Sequence, residues 1–256
     1  MAELGKYLYC IIPCQEERTF DAVAIGSEDG VVHTVCHKGL AAVVSDSPVK
    51  QYESTRRNMM AHEKVLERIM REFTLLPVRF GTIADSADPV RDIQKLLPAR
   101  LEEFNRLLRE MEGKVELGLK AFWRAEKAVF EEIVTENADI RKLRKSLSGK
   151  PPEAIRFEGI PLGRMVKEAL DRKRSQEAAK ILLPLRPIAH RVRENDTLVD
   201  RAIVNAAFLV DRKREQDFDQ AIRGLDRELG NRLALKYVGP VPPYNFVNIV
   251  VNWQEL

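Results

Sequence analysis

The sequence predicts an α+β fold in two domains, and three observations carry that expectation. Short apolar runs of strand-like period stand at Tyr7 to Ile12, Leu40 to Asp46, Val115 to Trp123 and Arg201 to Val210. Stretches of helical spacing separate them, over Arg56 to Phe73, Asp88 to Met111, residues 124–183 and Arg214 to Gly230. The order strand, crossover, strand, strand, helix, strand then occurs twice, changing over near residue 112. We expect an N-terminal α+β domain over residues 1–112. A modified ferredoxin-like βαββαβ domain occupies 113–239, its first crossover enlarged to a helical hairpin. A tail, 240–256, docks on the N-terminal domain. The first domain is a smaller unit of related topology with a shrunken first crossover. The repeat is one of topology alone, since no sequence repeat accompanies it.

In chain order, Tyr7 to Ile12 reads as a buried strand ended by Pro13, and Gln15 to Ile25 is ambiguous, with room for one short helix. VVHTVCH, opened by Gly30, and LAAVVSD read as two strands joined at Lys38-Gly39, a hairpin-like turn. Met59, Leu66, Ile69, Met70 and Phe73 mark one helical face, with His62 in its gap. Leu75 to Phe80 reads as a fourth strand closed by Gly81. Asp88-Pro89 is a helix start, Pro98 a break, and Gly113 an end.

In VELGLKAFW, Val115, Leu117, Leu119, Ala121 and Trp123 line one face. Glu116 and Lys120 lie on the other, which is expected to be solvated. Residues 124–183 read as helical, with a loop at 148–152. Within the last helix the stripe Leu162, Met165, Val166, Ala169, Leu170 gives way to DRKRSQEAAK, so its C-terminal turns are expected to project beyond the sheet. Arg186 to Arg193 reads as a strand and RAIVNAAFLV as a central one. Arg214 to Gly230 is a helix with Phe218, Ile222, Leu225 and Leu229 on one face. Leu233 to Val238 alternates as a last strand, which Gly239-Pro240 is expected to stop.

Pro242-Pro243 is expected to hold the next residues extended. The tail then turns apolar at Tyr244, Phe246, Val247, Ile249, Val251 and Trp253, with Asn248 and Asn252 facing away. Left free it would expose those side chains to water, so it must dock on its own protein or on a partner. These six residues are the candidate partner-binding set.

Composition narrows the function. Lys and Arg number 42 against 39 Asp and Glu, a mixed surface without the basic excess of a nucleic-acid binder. It lacks the acidic excess of halophile proteins too. No stretch approaches the ~20 apolar residues of a membrane span, and Met1 to Lys6 is too polar for a signal peptide. Three cysteines, Cys10, Cys14 and Cys36, are expected to be reduced thiols of a cytoplasmic protein.

Candidate sites yield little chemistry. Cys10, Cys14, His33, Cys36 and His37 suggest a metal set. On an extended strand, though, His33 and His37 stand about 13 Å apart and Cys36 points to the opposite face. No metal, cofactor or catalytic residue is expected. His62 has no nucleophile signature beside it and reads as a packing residue. Arg79 ends a buried strand and is expected to pair with a carboxylate or chain terminus, with a substrate clamp as the other reading. The basic groups Arg141, Lys142, Arg144, Lys145 and Arg172, Lys173, Arg174 read as solvated helix faces. Ala202, Val204, Ala206 and Phe208 make a core face rather than the stacking platform of an RNA binder. Walker, dinucleotide-loop and HExxH patterns are absent.

KYLYCII (6–12), LAAVVSD (40–46), AHEKVLE (61–67), LLPVRFGT (75–82) and GPVPPYNFV (239–247) stand in an order that resembles the gas vesicle protein F/L family. These are accessory proteins of gas-filled protein shells. The resemblance implies a non-catalytic protein of gas vesicle assembly, located in the cytoplasm and at the gas vesicle. Its partners would be the small, hydrophobic major shell protein and other gas vesicle accessory proteins. The alternative is a small-molecule enzyme on a ferredoxin-like scaffold, monooxygenase-like or metal-dependent.

Overall fold

The computed structural model describes residues 4–27, 29–48, 51–197 and 199–255. They form two compact units, Met1–Glu116 with Gly239–Leu256, and Leu117–Val238.

The first unit contains β1 (Leu4–Pro13), β2 (Thr19–Phe20), β3 (Val32–His37), β4 (Leu40–Pro48), α1 (Arg56–Met70), β5 (Leu76–Pro77), β6 (Ile83–Ala84), α2 (Pro89–Ala99) and α3 (Leu101–Met111). Its sheet runs β2-β3-β4-β1-β5, with β6 also on β1. Lys38 and Gly39, both at positive φ (48° and 89°), close the β3–β4 hairpin in a tight two-residue turn. The β1–β4 register jumps from Leu8↔Val44 to Cys10↔Val43, so Tyr9 is bulged. That extra residue puts Tyr7 and Tyr9, then Cys10 and Ile12, into one core with Val65, Leu66 and Ile69 of α1. Leu8 and Ile11 are equally buried, as are Ile93, Leu96, Leu97 and Phe104, yet none of them belongs to that core. The central strand is therefore covered on both faces, by α1 on one and by α2 and α3 on the other.

Helix starts obey local chemistry. Thr55 Oγ1 accepts from Asn58 N–H at 3.3 Å ahead of α1, and Asp88 accepts from Arg91 N–H at 3.0 Å ahead of α2. Pro98 sits in the last turn of α2, and α3 begins three residues on. Gln15 to Ile25, ambiguous in the sequence, forms no helix but an irregular crossover carrying β2. Arg18 N–H donates to Thr34 Oγ1 at 2.8 Å and Thr34 N–H to Arg18 O at 3.0 Å, binding this stretch to the β3 edge instead. The expected strand from Leu75 to Phe80 shortens to β5; Val78 N–H still donates to Tyr9 O of β1 at 3.0 Å, and from Arg79 on the chain turns to a different partner.

The second unit runs β7 (Lys114–Trp123), α4 (Glu126–Glu136), α5 (Ala138–Leu147), α6 (Pro152–Leu182), β8 (Arg191–Glu194), β9 (Ala202–Asp211), α7 (Glu215–Leu229) and β10 (Leu233–Val241), in sheet order β10-β7-β9-β8. β9 is buried along nearly its whole length, and Phe208 meets Phe218 of α7 with ring centroids 4.9 Å apart. Three helices stand where a hairpin is expected. Asn137 leaves helical geometry, its amide donating to Ile133 O at 2.7 Å, and so separates α4 from α5.

The expectation for α6 is reversed. Its N-terminal half is the exposed one, with Ile155, Phe157 and Ile160 in solvent, while DRKRSQEAAK lies on the sheet. Arg174 donates to Ala202 O at 3.0 Å and stands over the Trp123 ring. Lys173 reaches Glu132 and Glu136, and Glu177 accepts from Trp123 Nε1 at 2.6 Å. Lys173 and Arg174 are therefore packed, not solvated. The strand expected from Arg186 begins only at Arg191, because residues before it fold into turns: Arg186 N–H donates to Leu182 O and Ile188 N–H to Leu185 O. β10 continues through Gly239-Pro240 to Val241, and it lies at the edge of its sheet, where proline is tolerated.

Candidate functional site

Leaving β10, the tail re-enters the first unit. Pro242 and Pro243 are buried, and the chain after them turns instead of extending as expected. Tyr244 N–H donates to Pro242 O, and Phe246 and Val247 N–H both donate to Pro243 O, at 2.7, 3.1 and 2.9 Å. The prolines have lost their donors but keep their carbonyls, and those carbonyls close the turn. Asn245 donates from its backbone and side chain to the Glu116 carboxylate at 2.8 and 2.6 Å. Glu116 is therefore buried, not on a solvated face.

Beyond the turn the tail adds itself to the sheet edge. Ile249 forms a parallel bridge with Val78, and Arg79 N–H donates to Ile249 O at 3.0 Å. Arg100 caps Val250 O at 2.8 Å. Val247 and Ile249 are buried in their own protein, Phe246, Val251 and Trp253 are half-buried, and Tyr244 is exposed. The six candidate residues thus divide into those that hold the tail down and those that stay accessible.

Docking of the tail leaves a cavity of about 520 Å³ between α1, residues 77–80 and residues 244–250. Met59, Val78, Phe80, Val247 and Ile249 supply apolar wall. Met59, Tyr244 and Val250 are respectively 50, 40 and 48% exposed and stand around it. Three large apolar side chains in water around one concavity form a surface suited to an apolar partner. Arg79 and Glu63 add charge. Among the described residues the Arg79 guanidinium makes no ion pair with a carboxylate side chain, and the C-terminus, its other expected partner, lies outside them.

His62 lines the same cavity but is built into the core. Its Nδ1 lies 3.0 Å from Tyr7 Oη, which also accepts from Gly81 N–H at 3.0 Å, with Gly81 at φ 82°. The imidazole stacks on Tyr9 at 5.6 Å and meets Tyr7 and Phe80 edge-on. Burial lowers its pKa to about 4, so it is neutral at pH 7. A neutral ring hydrogen-bonded to a tyrosine hydroxyl and enclosed by aromatics is the setting of a packing residue.

The cysteines are distributed differently from expectation. Cys10 is fully buried, and burial alone pushes its thiol far up. Cys14 and Cys36, expected to diverge, meet: both thiols donate to Glu16 O, at 3.3 and 3.1 Å. A second polar centre, unmarked in the sequence, lies in the other unit. Arg232 grips Glu132 through both terminal nitrogens at 2.7 and 2.8 Å and Glu177 through Nε at 2.9 Å. Arg232 first, then Lys173, holds the Glu132 carboxyl down at about 2. These groups tie α4 and α6 to the segment between α7 and β10, and no cavity among the described pockets opens onto them.

Known proteins resemble the whole of this arrangement. A gas vesicle protein F of Nostoc sp. is 29% identical over 248 residues, covering 96% of this chain and 98% of its own. The crystal structure of gas vesicle protein GvpF from Anabaena sp. superposes with a TM-score of 0.81 at 28% identity, covering 97% of this chain and all of that one. That of GvpF from Microcystis aeruginosa gives 0.76 at 28% identity, over 94% and 98%. The family described as gas vesicle synthesis protein GvpL/GvpF matches residues 5–248, and the chain belongs to that family.

Proposed function

We propose that this chain is a non-catalytic accessory protein of gas vesicle assembly that holds the hydrophobic major shell protein before it polymerises. The observation that carries this reading is the exposed apolar rim of Met59, Tyr244 and Val250 around the tail cavity. A small insoluble subunit needs an apolar receptor on an otherwise charged protein, and charged residues make up 32% of this chain. The tail builds that receptor: Val247 and Ile249 anchor it, while Tyr244 and Val250 face outward. His62 contributes shape to the wall rather than proton transfer.

We read both units as ferredoxin-like variants, since the orders β3-β4-β1-β5 and β10-β7-β9-β8 each place the first and third long strands side by side at the centre. The domains are then residues 1–112, 113–239 and the docked tail 240–256. Association with the gas vesicle fits a chain in which, among the described residues, no helix is long and apolar enough to cross a membrane.

The test is a binding titration against the major shell protein, comparing the wild type with Met59→Ser/Tyr244→Ser/Val250→Ser. All three positions are exposed, so the fold should survive. Affinity should fall at least tenfold. Unchanged affinity with an unchanged circular dichroism spectrum would remove the rim from the mechanism.

A further inference from the structure

We propose that Cys14 and Cys36 form a reversible modification site, a dithiol pair that a hydroperoxide converts to an intramolecular disulfide. Cys14 stands just past the end of β1, and Cys36 lies near the end of β3, with β4 between those strands in the sheet. The two are brought together by the irregular crossover. Cys14 N–H donates to Gly39 O at 3.1 Å, which carries the chain over the hairpin, and Glu16 O then receives both thiol protons. Both sulfurs lie within 3.3 Å of that one carbonyl oxygen, which also accepts from Thr34 Oγ1, so the two thiols share one polar cluster. Both residues are partly exposed, so an oxidant reaches them, while Cys10 is sealed in the core. Among the described residues no group of three His, Cys, Asp or Glu is placed to hold a metal ion, so the pair lacks the ligand set of a zinc site.

The chemistry balances with hydrogen peroxide. The Cys14 thiolate attacks one peroxide oxygen and becomes a sulfenic acid as the O–O bond breaks, and the departing hydroxide takes up the proton the thiol had released and leaves as the first water. Cys36 sulfur then displaces the hydroxyl, forming the S–S bond and releasing a second water. Two electrons pass from the two thiols to the peroxide. Burial raises the Cys36 thiol and thins its thiolate population, which suits Cys36 to the second, resolving step. The bond closes residues 14–36 into a loop and adds a covalent tie between the crossover and β3, beside the Arg18–Thr34 hydrogen bonds and the β2–β3 pairing.

Mild hydrogen peroxide treatment of the full chain tests this. The thiols titratable in denaturant should fall from three to one, with all three restored by dithiothreitol. Non-reducing peptide mapping should show one peptide pair, joined through Cys14 and Cys36. The same map on Cys10→Ser should be unchanged, and Cys14→Ser should yield no internal link. A link to Cys10, a dimer linked between chains, or sulfinic acid on both residues without a cross-link would each overturn the proposal. The wild-type map decides the question even if a variant fails to fold.

Discussion

Acid should destabilise this protein through His62, in a pH window that the imidazole itself sets. In the folded chain its pKa is about 4, against an ordinary value of 6.5, because burial disfavours the cation. Between those values the unfolded chain binds a proton that the folded chain refuses, so stability is complete above pH 6.5 and falls as pH drops toward 4. At about 1.36 kcal/mol per pH unit, the loss from pH 7.5 to 4.5 is about 2.5 kcal/mol. Urea titrations at steps across that range, on the wild type and on His62→Gln, isolate the effect. The variant is weakened at neutral pH, since Tyr7 loses its imidazole partner, but its pH slope should be flatter by that amount. Parallel slopes in the two proteins would refute the argument, and would mean that His62 titrates in the fold as it does in water.

Other perturbations probe separate parts. Phe208→Ala should cost about 3–5 kcal/mol, as a fully buried ring removed from beside Phe218; a urea titration giving under about 1 kcal/mol would mean that β9 is not the core of its unit. Arg232→Ala should let the Glu132 carboxyl climb from about 2 toward the ordinary glutamate range, read by carbon-13 NMR. Because that pKa is depressed, Glu132 contributes stability above pH 4.5 and loses it as pH falls toward 2, below the His62 window. Ile249→Ala removes a side chain that is 1% exposed and should weaken tail docking by about 2–5 kcal/mol. Faster hydrogen exchange at the Arg79 amide, which donates to Ile249 O, would report it, and unchanged exchange would place the anchor elsewhere.

Much of this architecture was legible because its causes are local. Lys38-Gly39 turns a hairpin wherever it sits between two apolar strands, Asp88-Pro89 starts a helix, and RAIVNAAFLV can only be an interior strand. What sequence reasoning missed depends on partners far along the chain. DRKRSQEAAK reads as solvated until Glu132, Trp123, Ala202 and Arg232 are seen to receive its charges. Glu116 reads as a surface carboxylate until Asn245 folds back onto it. The bulge at Tyr9 leaves no composition signal, and neither does the approach of Cys14 to Cys36, which a crossover with little regular structure brings about. At the candidate site the apolar tail was visible from its residues. Its division into anchors and outward-facing residues was not, because the turn on Pro243 O breaks the strand alternation. Met59 lay on the predicted apolar face of α1, and only the structure places it in solvent at the cavity mouth.

Site-specific photocrosslinking to the major shell protein tests the central claim most directly. A photoreactive side chain at Val250 stands at the cavity, and one at Phe157 stands on the exposed half of α6, in the other unit. Both positions are apolar and exposed, so nonspecific hydrophobic capture would label them alike. The account predicts a shell-protein adduct from position 250 that is lost in Ile249→Ala, with little or none from position 157. Adducts from position 157 alone, or equal yields from both, would contradict it.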